Sequence, residues 1–538
     1  MKHKKRTSKH EPALWLKSLR WLDSFVTARN GMLIALLVPT LIVMTSAQAF
    51  AQEDAPTGVD AILTPLVNVL VAVLFFPIFG ENGFPFIVLW LAIGALFFTF
   101  RMGFINLRGF KHAIDVVRGV YDDPNDEGEV SHFQALATAV SGTVGLGNIA
   151  GVAIAIQLGG PGAMLWLTLA GFCGMVTKFV ECTLAVKYRR TAPDGTILGG
   201  PMYYLTQGLS GKGLRPVGKV LAVVFAVFCI AGSLGGANMF QSNQAYAAIS
   251  GIIPGLPAWL FGIILAALSA FVIIGGIRRI GAVAEKLVPA MALVYILACL
   301  FVLLVNITEI PAAIGTIISE AFNPTAVGGG IVGVIVQGVR RSAFSNEAGV
   351  GSAAIAHSAA RTDEHIREGL VSLLEPFIDT IVICNMTAIT IVITGAYLDS
   401  GEELSGVDMT ASAFGSVIGW FPIVLSVAVC LFAFSTIISW SYYGIQAWTY
   451  LFGERTTLLF KGIYVFCTFL GCLGSLGVII DLSDLLLLAM AFPNLIGCYI
   501  LSNEVAGDLK RYWDSLTSGN MLTYEQKLAG QPASESVH

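Results

Sequence analysis

Eleven stretches of the chain are apolar for about the 20 residues that an α-helix needs to cross a hydrocarbon layer, and no other feature limits the fold as strongly. They fall at 84–100, 135–156, 163–186, 220–249, 257–274, 287–305, 329–356, 370–394, 414–451, 459–480 and 482–501. Within hydrocarbon every backbone N–H and C=O must be satisfied inside the protein, so such runs fold as helices, interrupted only where protein or a water-filled cavity surrounds them. The expected fold class is therefore all-α and membrane-embedded. Composition agrees: 55% of the 538 residues are hydrophobic and 12% charged, about half the roughly 25% charged content of an ordinary soluble domain.

Charge in the loops tests this map, because cytosolic loops carry the lysine and arginine excess. Arg101, Arg108, Lys111 and Arg118, then Lys187, Arg189 and Arg190, then Arg278, Arg279 and Lys286, then Arg361 and Arg367, then Arg455 and Lys461 all fall on one side of an eleven-helix map. The opposite loops are neutral or acidic, as at Asp399, Glu402, Glu403 and Asp408. The map puts the C-terminus in the cytosol.

At the N-terminus, Lys2, Lys4, Lys5 and Arg6 precede a short apolar run, 32–44, and a small-residue stretch ending at Ala51. Residues 1–51 read as a cleavable signal peptide or as an uncleaved first helix; either way the chain emerges on the periplasmic side of an inner membrane. The segment 52–82 is periplasmic or interfacial, with 61–78 apolar but interrupted by Pro65 and Pro77. The membrane domain covers 83–503, and 504–538 is a polar cytosolic tail.

Several function classes drop out. Nine cysteines lie in apolar runs without paired C-x-x-C spacing, which fits small core residues rather than disulfides or metal ligands. No basic block interleaved with aromatics marks a nucleic-acid face. The seven histidines stand at termini, in loops or at span edges, and no nucleophile with its base is evident, so the sequence is not that of an enzyme. No repeated filter loop marks a channel.

Two interruptions carry the chemistry. Ser141-Gly-Thr-Val-Gly-Leu-Gly-Asn148-Ile-Ala-Gly151 breaks an otherwise apolar span at its middle. A break at that depth frees the amides of Leu146 and Gly147, suited to a carboxylate, and carbonyls around Ser141 to Val144, suited to a small cation. A helix-packing motif of small residues is the competing reading. The second break runs through Arg340, Arg341, Phe344, Ser345, Glu347, Gly349 and Gly351, with Phe344, Ser345 and Val350 expected to face a cavity. Two breaks in matching places of two halves point to an inverted-repeat transporter, the halves spanning about 133–306 and about 327–503.

Ionisable groups at this depth need partners. Glu347 is a functional group or the partner of Arg340 or Arg341. Glu181 pairs with Lys178 one turn away or supports the broken segment. The cluster Asn238, Gln241, Ser242 and Asn243, and Asp379 with Thr380 and Asn385, line a cavity or join helices. Ser435 and Thr436 offer hydroxyls to a cation, and Trp440 stands deep enough to cap a small substrate.

At these residues the chain resembles the alanine or glycine:cation symporter family, from about 84 to about 501. The motifs are Thr143-Val-Gly-Leu-Gly-Asn148-Ile-Ala-Gly151 with Gly159-Gly-Pro-Gly162, Gly199-Gly-Pro-Met-Tyr-Tyr-Leu205, Phe344-Ser-Asn-Glu-Ala-Gly349 with Gly351-Ser-Ala, Glu375-Pro-Phe-Ile-Asp379-Thr and Trp440-Ser-Tyr-Tyr-Gly444. The resemblance implies a LeuT-type fold of two inverted five-helix repeats with one extra N-terminal helix. It implies sodium-coupled uptake of small neutral amino acids, alanine or glycine, without an organic cofactor. By that similarity the amides of Leu146 and Gly147 hold the substrate carboxylate, while Gln241, Phe344, Val350 and Trp440 shape a small pocket. The Thr143 carbonyl, Asn148 and Ser345 belong to one sodium site. The Ser141 and Val144 carbonyls with Ser435 and Thr436 form a second, and Glu181, Glu347 and Asp379 stand behind them. The chain departs from the common pattern at Leu146, Ser342 and Ile445, where the family often has Thr, Gly and Glu. Proton coupling and a non-transporting receptor on the same scaffold stay open as alternatives, as do stoichiometry, chirality and oligomeric state.

Overall fold

A computed structural model describes residues 59–80, 83–322, 330–398, 406–417, 419–473 and 477–529; the signal-peptide-like segment lies outside them. Almost all of what is described is helical, apart from two short antiparallel pairs, Pro77–Ile78 with Phe84–Pro85 and Arg190–Thr191 with Ile197–Leu198. Among the described residues six helices are long and apolar enough to cross a membrane, and one bent pair makes a seventh. Shorter apolar helices stand beside them. The protein is a multi-pass, all-α membrane protein.

Helix α1 (Val59–Leu74) takes up most of the run at 61–78, and α2 (Phe86–Arg101) follows the first strand pair. The broken segment supplies α3 (His132–Thr143) and α4 (Gly147–Gly159). Next come α5 (Ala163–Lys187), α6 (Arg215–Ile252), α7 (Ala258–Ile273) and α8 (Gly276–Val305). The second broken segment gives α9 (Gly330–Asn346) and α10 (Ala353–His357), followed by α11 (His365–Thr394). The series closes with α12 (Phe421–Phe452), α13 (Thr457–Gly471) and α14 (Gly477–Thr517). Where the sequence turns polar at Ser502, α14 runs on, and Asp508, Leu509 and Tyr512 are buried against the rest of the molecule.

Helix α5 is the post around which α2, α9, α10 and α11 gather, while α12 packs on α3, α6 and α8. The loop Gly199 to Leu205 becomes the start of a helix, Pro201–Gly211, with proline at its first turn, where a missing N–H costs nothing. Outward faces are apolar: Ile263, Leu268 and Phe271 on α7 and Leu297, Phe301 and Leu304 on α8 are all about half exposed or more. Only 33% of the apolar window of α8 is buried, so most of that helix presents the surface that hydrocarbon solvates.

Candidate functional site

The first break begins with a well-capped helix. Ser131 Oγ accepts from the Gln134 amide and Gln134 Oε1 accepts from the Ser131 amide, so α3 starts with two of its orphan donors satisfied. It ends at Val144, whose ψ of 101° is extended. The chain re-enters helix as a π-helical turn, Gly147–Gly151, and α4 leaves at 54° to α3. Leu146 is the N-cap and Gly147 the first residue of that turn, where N–H groups have no partner within the helix.

The second break is made differently. After α9 stops at Asn346, Glu347 takes φ of 55°, Gly349 92° and Gly351 87°. Only Glu347 carries a side chain in this left-handed region, a strain that surrounding structure must hold. A Cβ on Gly349 would stand 2.7 Å from Leu91 Cδ2, and one on Gly351 2.8 Å from Pro201 Cγ. Glycine is required at both. The two breaks touch where Gly147 packs beside the Ser345 backbone.

Between them lies a cavity of about 40 Å³. Thr143, Leu146 and Gly147 of the first break, Phe344 and Glu347 of the second, Gln241 of α6, and Thr436 and Trp440 of α12 all line it. Trp440 is 1% exposed, which rules out an interfacial position. Gln241 Oε1 is buried with no hydrogen-bond partner, and the Glu347 carboxylate accepts from Ser352 Oγ and from the Trp440 indole. Amide donors at one wall, with a carboxylate and an unengaged amide oxygen at another, suit a zwitterion, while Leu146, Phe344 and Trp440 leave room for little side chain. Val350 is fully buried and does not line the cavity. Asp484 and Leu487 of α14 do, and the sequence reading had not reached them.

Behind the first break is a dry polar cluster. Asn148 Nδ2 donates to Asp379 Oδ1 at 2.6 Å and to Ser345 Oγ at 3.1 Å, and Asn148 Oδ1 accepts from the Gly145 amide at 2.8 Å. Ser345 Oγ and Thr380 Oγ1 donate to Asp379 Oδ2 at 2.8 and 2.7 Å. Asp379, on a π-helical turn of α11, is fully buried, and each of these donors is neutral. A third group joins α3 to α12: Ser141 Oγ donates to the Ser435 carbonyl at 2.8 Å, and Thr436 Oγ1 donates to the Ser141 carbonyl at 3.2 Å.

Several alternatives that the sequence left open are decided by the packing. Glu347 is not neutralised by the arginines before it; the Arg340 guanidinium lies 4.7 Å from the centre of the Phe75 ring and that of Arg341 6.0 Å from Phe344. Lys178 does not pair with Glu181 but holds Glu375 at 2.9 Å. Glu181 instead accepts from Asn494, which also donates to the Gly349 carbonyl and thereby ties Glu181 to the second break. Asn238 joins helices rather than lining the cavity: it donates to the Tyr464 carbonyl and accepts from Thr468. His132 and His357, placed at span edges by the sequence, are 1% and 0% exposed. Asp484, an acidic side chain, and Asn494, a lone amide, both in the apolar run 482–501, were the visible signals for the α14 contribution.

Two broken helices meeting at a buried polar cavity, in a chain that crosses the membrane many times, define a membrane transporter. The model of the sodium:alanine symporter family matches residues 71–526, and the chain belongs to that family of amino acid symporters. Among its relatives are the sodium/alanine symporter AgcS of Methanococcus maripaludis, 41% identical over 80% of this chain and 94% of that protein, and the amino-acid carrier protein AlsT of Bacillus subtilis, 38% identical over 78% and 87%. The probable sodium/glutamine symporter GlnT of Bacillus subtilis is 36% identical over 79% of this chain and 87% of its own length.

Proposed function

We propose that the chain imports small neutral amino acids, alanine and glycine, across the inner membrane in symport with sodium, by alternating access in a LeuT-type fold of two inverted five-helix repeats preceded by one helix. The Lys- and Arg-rich loops and the C-terminus face the cytosol, and the processed N-terminus faces the periplasm. The amides at Leu146 and Gly147 hold the substrate carboxylate; Gln241 and Glu347 face its ammonium; Phe344 and Trp440 close over the side chain.

The observation that carries the reading is Asp379. A carboxylate removed from water costs several kcal/mol unless a charge balances it, and Asp379 is held by Asn148, Ser345 and Thr380 alone. A bound sodium ion is the balancing charge, with Thr143, Asn148 and Ser345 supplying oxygens beside it. Ser141, Val144, Ser435 and Thr436 supply those of a second ion between α3 and α12. A proton on Asp379 would balance the same charge, which keeps proton coupling as the second reading. No organic cofactor enters either.

Uptake of labelled L-alanine into proteoliposomes under sodium, proton or potassium gradients separates them, with unlabelled glycine, D-alanine and leucine as competitors. Accumulation driven by sodium and competed by glycine but not leucine is expected. Accumulation driven by protons alone overturns sodium coupling, and no accumulation under any gradient favours a receptor.

A further inference from the structure

A second set of ionisable groups, none of which lines the cavity, runs in single file through the half of the molecule that holds the basic loops. Lys178 on α5 binds Glu375 on α11 at 2.9 Å. The other oxygen of Glu375 faces Nε2 of His357, on α10, across 3.7 Å, and neither atom has a hydrogen-bond partner. His357 Nδ1 is 2.5 Å from Glu368 Oε1 on α11. The remaining oxygen of Glu368 bonds to Nδ1 of His132, the first residue of α3. His132 Nε2 in turn faces Asp122, at 3.6 Å, whose side chain is 37% exposed. The file begins at a partly exposed carboxyl and ends at a fully buried lysine.

Other charged and titratable groups stand around it. Arg361 and Arg367 lie near Asp122, Arg189 lies toward Glu368, Glu181, Glu347 and Cys182 face Lys178, and Tyr443 lies toward Glu375. Burial pushes the Asp122 carboxyl up from its ordinary range.

The charge count decides what the file can hold. With Lys178 charged, Glu368 and Glu375 ionised and both imidazoles neutral, the contacting groups sum to one negative charge, and each is 0% or 1% exposed. One proton on the imidazole pair removes that charge, and each imidazole stands between two carboxylates. The same contacts fasten both half-helices, α3 through His132 and α10 through His357, to the unbroken α11.

We propose that His132, His357, Glu368 and Glu375 form a proton-binding site, separate from the amino acid cavity, whose occupancy holds α3 and α10 against α11 and so sets how readily the cytosolic gate opens. Asp122 exchanges the proton between His132 and cytosolic water. The inference rests on the symport reading and on the cytosolic placement of the basic loops. With the proton bound, α3 is latched; when it leaves, the residual negative charge loosens the His132 contact, and cargo release speeds up.

The test is alanine release into the lumen of proteoliposomes whose cytosolic face is inward, with external pH fixed and internal pH stepped from about 6 to about 8.5, across the ordinary imidazole range. Release is expected to quicken about tenfold, a typical coupling between two sites, and the combined H132Q and H357Q variant to flatten this to within about twofold. Asp122→Asn removes a negative charge beside His132 and moves the midpoint to lower pH. A flat wild-type profile with sodium-driven uptake intact overturns the proposal and leaves the symport reading standing, as does a steep profile kept by the double variant. Deuterium uptake by residues 132–143, corrected for intrinsic pH dependence, reads the latch without transport. It should rise with pH in the wild type, and a rise no smaller in H132Q, or none in either, overturns the proposal even if no gradient drives uptake.

Discussion

The two breaks in the spanning helices do the same job by different means. The first uses glycines that keep negative φ, a π-helical turn and one side chain, Asn148, whose oxygen takes up the Gly145 amide. It presents five of its residues, from Gly142 to Gly147, to the cavity. The second uses three residues of positive φ and is pinned from outside by Leu91, Pro201 and Asn494. It offers the cavity only Phe344 and Glu347. One break lines the cavity with its own backbone; the other is a scaffold held by packing and strain. Ligand-contacting backbone belongs to the less constrained of the two, because a site that must open and close gains nothing from a frame that resists both.

Substitutions in the two breaks should therefore fail in different ways. Gly351→Val sharpens the contrast most: a side chain at φ of 87° with Pro201 and Asn494 inside contact distance should cost about 3 kcal/mol or more, seen as lost folded protein on size-exclusion chromatography. Asn494→Ala should cost about 2 to 4 kcal/mol, because Glu181, Tyr204 and the Gly349 carbonyl lose a shared partner in a dry interior; thermal unfolding in detergent measures it. In the first break, Leu146→Ala should leave the protein folded and admit larger cargo. Each added methylene is worth about 1 to 3 kcal/mol in such a pocket, so leucine, expected not to compete in the wild type, should compete with alanine in the variant. Gly151→Ala should be nearly silent or stabilise by up to about 1 kcal/mol, since its φ is −63° and nothing lies within 4 Å of the added methyl. A large loss there would break the comparison, showing the first break to be as tightly packed as the second.

Much of this was legible in the chain. Clustered glycines together with polar residues in the middle of an apolar run, as at 141–151 and 345–352, marked the two broken helices, whereas single glycines such as Gly262 and Gly444 leave their helices intact. What position in the sequence could not decide were pairings. Lys178 and Glu181 are one turn apart, and Arg340 precedes Glu347 by two turns, so local rules join them. The fold instead sends Lys178 across to Glu375 and lays Arg340 on Phe75. Asn148 and Asp379 are 231 residues apart, and no periodicity links them; only the packing of α11 behind α4 does. The histidines misled for the same reason. An edge in sequence is not an edge in space when a neighbouring helix and loop cover it.

Sodium dependence of alanine binding to purified protein, wild type against Asp379→Asn, tests the central claim most directly. If Asp379 balances the bound ion, wild-type affinity should rise with sodium, and the variant, which keeps a similar shape and loses the charge, should bind alanine weakly and alike with or without sodium. A variant whose affinity still rises with sodium as the wild type's does would contradict the assignment of the Asn148, Ser345 and Asp379 cluster as the cation site.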